Sequence, residues 1–148
     1  MTTGFLVASQ REAYRLAVAF EFVAGRIEKR LPIRKHDVKE LLTIESRKIR
    51  RQVDHATGER SALQAAIGFQ SAREAAVQCH TQLDRLSMTE MGGKADVTAG
   101  LELLERIDEV LGDILGLIPD TARGHAAPQP EETQSDASPS EEGGCAAA

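Results

Sequence analysis

The stretch Phe69-Gln-Ser-Ala72-Arg-Glu-Ala-Ala76-Val-Gln-Cys79-His-Thr-Gln-Leu83-Asp-Arg-Leu86 places a buried-type residue at alternating steps of three and four without a break. A strand would need a period of two, so the stretch predicts a helix with one continuous apolar seam, of the kind that packs against other helices. The seam is small in its middle, where Ala72, Ala76 and Cys79 allow a neighbouring helix to come close. Ser61-Ala-Leu-Gln64 precedes it with capping-box spacing, and Gly92-Gly93 follows as a break.

Working outward, the same pattern recurs three times. Ser9-Gln-Arg-Glu12 has capping-box spacing and leads into Ala13, Leu16, Ala17, Phe20, Val23, Ala24, Ile27 and Leu31, one helix face ended by Pro32. Asp37-Val-Lys-Glu40 repeats the spacing before Val38, Leu41, Leu42, Ile49, Val53 and Ala56, with Gly58 as a left-handed stop. Asp96 is the expected cap of a fourth helix carrying Val97, Leu101, Leu104, Leu111, Leu115 and Ile118, with Leu103, Ile107, Val110, Ile114 and Leu117 beside them. That surface is broad. It fits either a helix that buries a second side against another subunit or a central helix of the monomer. The expected fold is an all-α, antiparallel four-helix bundle. Residues 1–8 form an N-terminal extension, 9–120 the bundle and 121–148 an acidic tail. From His125 onward Pro, Ser, Glu, Gln, Gly and Ala dominate, a composition too polar to offset chain entropy, so the tail is expected to be disordered.

Composition agrees with helices. Of 148 residues, 41% are hydrophobic but only 3% aromatic, with no Trp, a balance that favours Leu/Ile/Val/Ala helix cores over a β-sandwich. No apolar run reaches the roughly 18–20 residues of a membrane span, and the first nine residues lack the basic and apolar regions of a secretory signal, which points to the cytoplasm. Two cysteines, Cys79 and Cys145, make no disulfide framework. The net charge of −5 hides a division. Residues 26–60 hold 11 basic and 6 acidic side chains, residues 61–123 hold 5 basic and 10 acidic, and the five acidic residues after Arg123 carry the whole excess. Such polarity suits an anionic partner or head-to-tail self-association, or reflects two solvated surfaces.

Catalytic patterns are sparse. The Glu-x-x-His pairs of a di-iron bundle are absent, and His55, His80 and His125 share no ligand spacing, so no metal or other cofactor is expected. Cys79 and His80 are adjacent and therefore point about 100° apart on a helix, which suits packing better than a nucleophile–base pair. Cys145-Ala-Ala-Ala148 matches a prenylation box weakly, without upstream basic residues. Gly92-Gly93-Lys94 lacks the spacing of a phosphate loop. An enzyme is not expected. The basic cluster carries more information. Arg26, Lys29, Arg30, Arg34, Lys35 and Lys39 surround the first inter-helix turn, and Arg47, Lys48, Arg50 and Arg51 follow on the second helix, several on one face. Clusters of this kind bind phosphate backbones without base specificity, and a solvated face partly paired with Glu45, Asp54 and Glu59 is the alternative. The cluster itself holds no aromatic residue for base stacking.

The order of parts resembles a known family. Leu31-Pro-Ile-Arg-Lys-His36 closes helix one, Val38 and Glu40 open a basic helix two, the Ala-rich seam forms helix three, and Val97 to Ile118 form a Leu-rich helix four. This is similar to the four-helix-bundle family of ribosomal-RNA intervening-sequence proteins, and within it to the accessory variability determinants of diversity-generating retroelements. The likeness spans roughly residues 9–119. It implies a homo-oligomer, usually a pentamer, that binds reverse transcriptase and RNA or DNA through a basic surface and supports cDNA synthesis without being an enzyme. It makes Arg34, Lys35 and His36 contact candidates. Arg26, Lys29, Arg30, Arg47, Lys48, Arg50 and Arg51 join them on charge alone. A homo-oligomeric scaffold with protein partners only is the second expectation.

Overall fold

Each apolar stripe forms one helix: α1 (Thr2–Arg30), α2 (His36–Thr57), α3 (Ala62–Ser87) and α4 (Lys94–Leu117), with a short 3-10 turn (Ile33–Lys35) between the first two. These elements come from a computed structural model that describes residues 2–118. The expectations for the acidic tail, for His125 and for the Cys145 box fall outside the described residues. The protein is an all-α four-helix bundle, and no strand occurs among the described residues. No helix there is long and apolar enough to cross a membrane.

The helices run up and down in sequence order. α1 packs on α2 and α4, and α3 packs on α2 and α4, while the diagonal pairs do not approach. Side chains fix the direction. Glu21 of α1 reaches Arg50 of α2, Arg26 near the end of α1 reaches Asp96 at the start of α4, and Arg73 of α3 reaches Asp108 of α4. The seam residues Phe69, Ala72, Ala76, Cys79, Leu83 and Leu86 are all buried, as are Leu16, Phe20 and Ile27 of α1 and Leu42, Ile49 and Val53 of α2. Burial of a side chain of this size contributes about 1.5–3 kcal/mol each, which is what holds helices that are individually marginal. Small residues set the spacing. A Cβ on Gly68 would stand 2.8 Å from Cβ of Ala56, so α2 and α3 touch at a distance only glycine permits, and one on Gly100 would stand 2.7 Å from Cδ1 of Leu83 and push that side chain aside.

Helix boundaries differ from expectation in four places. Ser9 is not a cap: it is buried inside α1, which starts at Thr2, so residues 2–8 belong to the bundle rather than to an extension. Leu6 packs on the core one turn before Ser9 and extends the apolar face upstream. Asp37 is likewise inside α2, whose preceding residue Lys35 makes no side-chain cap. The 3-10 turn replaces the cap, since the Lys35 N–H donates to the Pro32 carbonyl at 2.9 Å and starts the helical winding early. Gly58 keeps right-handed angles, φ −88°, whereas Gly92 and Gly93 take φ of 83° and 89°. Ser61 does cap α3, accepting from the Gln64 N–H at 3.3 Å. The fourth difference is Asp96, which does not precede α4 but lies in its first turn, buried.

The breadth of α4 is absorbed within the monomer. Leu104, Ile107, Val110, Leu111, Ile114 and Leu115 are buried, Leu101, Leu103 and Leu117 are half-buried, and no large apolar side chain of α4 is exposed. The surplus apolar surface is on α1 instead.

Candidate nucleic-acid interface

The ten candidate residues separate into three groups. Arg26 and Arg30 are on the side of α1 that faces α4, and both engage Asp96. Nη2 of Arg26 donates to Oδ1 at 2.6 Å, and Nη1 of Arg30 meets Oδ2 at 3.2 Å. The Asp96 side chain is only 5% exposed. A carboxylate removed from water needs such partners, and it sits at a helix N-terminus where the dipole also favours negative charge. Arg26 is further held by the Phe22 ring, 5.6 Å from its guanidinium carbon. Gly93 lies directly against Arg30, where any Cβ would collide with the guanidinium. These two arginines clasp α1 to α4 by sharing the one carboxylate of Asp96, and more than half of each side chain remains in solvent.

The second group stands at the turn. Lys29, Arg34 and His36 are exposed and Lys35 is half-buried. His36 faces Asp37 at 3.0 Å, both largely in solvent. Lys29, Arg34 and Lys35 make no ion pair with another described residue.

The third group is on α2. Arg50 turns inward to Glu21, Nε to Oε1 at 2.5 Å, and that hydrogen bond, helped by Tyr14, raises its already high pKa. Arg47 meets the same carboxylate only at 3.9 Å, with half of its side chain in solvent. Arg47, Lys48 and Arg51 point outward, three, four and seven residues beyond Ile44, and so share one helix face with it. Ile44, 53% exposed, stands one turn before the cations at the end of that face. Lys48 and Arg51 make no ion pair with a described residue. The face is thus a compact triad of cations preceded by an apolar residue, roughly 18 Å along the axis from the cationic turn.

No protein-family model, curated protein or solved structure matches the chain. Its chemistry is carried by the residues themselves.

The opposite half of the bundle differs in kind. Arg73 donates to Asp108 at 2.7 Å, which raises its pKa, and Arg106 pairs with Glu109 at 3.0 Å. A groove of about 290 Å³ between α3 and α4 is lined by Ala76, Val77, His80, Leu104, Glu105 and Asp108. His80 meets Glu105 there at 3.5 Å. Cys79 is turned away from that groove, fully buried, and burial together with Glu45 and Glu28 pushes its thiol up to about 12. No group of three potential metal ligands occurs among the described residues.

Sequence reading missed one surface. Val7, Tyr14, Val18 and Phe22 are all exposed, Phe22 by 66%, and lie along the side of α1 away from the core. Their spacing of 7, 4 and 4 is itself helical. The stripe was hidden by the stronger core stripe on the same helix, and a search for two apolar faces per helix would have found it.

Proposed function

We propose that the protein is a non-catalytic accessory of a diversity-generating retroelement, binding RNA or DNA and the reverse transcriptase through the basic side of the bundle. The observation that carries the nucleic-acid part is the outward triad Arg47, Lys48 and Arg51, of which only Arg47 meets a carboxylate, at 3.9 Å, while Arg50 is held closely by Glu21 and Arg26 and Arg30 share Asp96. Lys29, Arg34 and Lys35 extend the cationic track to the turn. Phosphate groups are the matching ligand, because they accept from guanidinium and ammonium groups without needing a shaped pocket. The reverse transcriptase and the pentamer come from the resemblance in the Leu31–His36 turn and the helix order.

The test is a salt titration of RNA binding with the full chain. Arg47→Glu with Arg51→Glu is expected to weaken binding at least tenfold at low salt and to flatten the plot of log affinity against log salt by about 2. Binding that ignores both substitutions and salt would refute the proposal. Arg26→Gln, in contrast, should act on stability rather than on the salt slope.

A second reading has its own observation. The α1 stripe Val7–Tyr14–Val18–Phe22 suits an apolar protein contact, as a homo-oligomeric scaffold with protein partners only would require.

A further inference from the structure

We infer that, in the free protein, the cationic face of α2 is occupied by the chain's own acidic segment, residues 131–142. The inference rests on α2 being an anion-binding face and adds how that face is regulated.

The segment reads Glu131-Glu-Thr-Gln-Ser-Asp136-Ala-Ser-Pro-Ser-Glu141-Glu142: five carboxylates and no basic residue. Its counterpart is specific in place. Arg26 and Arg30 share the one carboxylate of Asp96, while Arg50 pairs with Glu21, Arg73 with Asp108 and Arg106 with Glu109. Arg47, Lys48 and Arg51 are adjacent and exposed on one helix face, and among the described residues only Arg47 meets a carboxylate, that of Glu21 at 3.9 Å. Charge complementarity excludes the acidic α3–α4 half, and reach selects this end of α2, because Lys29, Arg34 and Lys35 stand at the end of the bundle opposite Ile118.

The chain's exit point makes the contact reachable. Ile118 lies at the end of the bundle shared with the α2–α3 turn, where a groove of about 250 Å³ runs from Leu117 and Ile118 past Leu6 and Phe69 to Arg60. Crossing the square of helices diagonally takes about 13 Å at interaxial spacings of 8–10 Å. Descending α2 from Thr57 to Arg51 adds about 9 Å. Residue 131 follows Ile118 by 13 peptide units, which extend to at most about 45 Å. The exposed Arg60 stands on this path. A tether that exceeds the span holds the segment near its face at millimolar effective concentration, enough for individually weak surface pairs to compete with a free polyanion at low salt.

Cys145 provides the probe, because Cys79 is buried with its thiol pushed up to about 12 and is not labelled at neutral pH. A nitroxide on Cys145 of the full chain is expected to broaden the amide signals of residues 44–51 at 50 mM salt, and to do so independently of protein concentration. The broadening should vanish in 0.5 M salt and in a variant carrying Glu131→Gln, Glu132→Gln, Asp136→Asn, Glu141→Gln and Glu142→Gln. That variant should bind RNA about three- to tenfold more tightly than the parent at 50 mM salt and equally at 0.5 M. Broadening spread evenly over four helices, or present only at high concentration, overturns the inference. So does equal RNA affinity of variant and parent at low salt. If neither chain binds RNA while the broadening behaves as expected, the docking stands and the accessory function falls.

Discussion

Cys79 turns a packing fact into a pH-dependent one. Its thiol stays protonated in the fold up to about 12, against an ordinary value near 9. Between those values the unfolded chain has released the proton and the folded chain has not, so stability falls as pH rises, by about 1.4 kcal/mol per unit from this group. Urea unfolding at pH 8.5 and 10.5 should register that decline, and Cys79→Ala should lessen the slope. Two glycines make a second contrast at this scale. Gly25 has nothing within 4 Å of where a Cβ would be, so Gly25→Ala should stabilise by about 0.5–1 kcal/mol through helix propensity. At Gly68 the added Cβ would meet another Cβ, that of Ala56, which cannot rotate away. Gly68→Ala should therefore destabilise by about 1–3 kcal/mol despite the same gain in propensity, and thermal melts of the two variants should move in opposite directions. Residue-scale partners were the least legible part of the sequence. Arg26 and Arg30 read as surface cations until Asp96, 70 positions beyond Arg26, is seen beneath them.

At the scale of elements, the four stripes located every helix, because periodicity records which side must be dry. The ends were harder. Capping spacing recurs by chance, and Ser9 and Asp37 carried it inside helices, where apolar continuity and a 3-10 start outweighed the local signal. Helix α1 also has two apolar sides, and only one is needed for the bundle. Replacing Val18 and Phe22 together by Lys should leave the melting temperature within a few degrees, because both side chains are already exposed. If this stripe is a protein contact, the same variant should have a lower solution mass by light scattering. An unchanged mass would remove self-association through α1. The broad apolar surface of α4 is the converse case: most of its width is buried where the helix is wedged between α1 and α3.

For the molecule as a whole, the basic and acidic halves survive folding as opposite sides, since α1 and α2 are neighbours and so are α3 and α4. Much of the apparent surplus does not. Close pairs with Glu21, Asp96 and Asp108 draw Arg50, Arg26, Arg30 and Arg73 into the joints between helices. Of the ten candidates, the triad on α2 and a short track at the turn are the ones left outside close pairs, a distinction that net charge by segment could not make because pairing is long-range. The side-by-side placement of α1 and α4 has a mechanical consequence. Leu6 lies near Leu117, so tension applied between the two ends of the bundle pulls on adjacent points rather than along its length. Under such a load α1 and α4 would peel apart turn by turn, with the Arg26–Asp96–Arg30 clasp at the far end as the last rivet to give way.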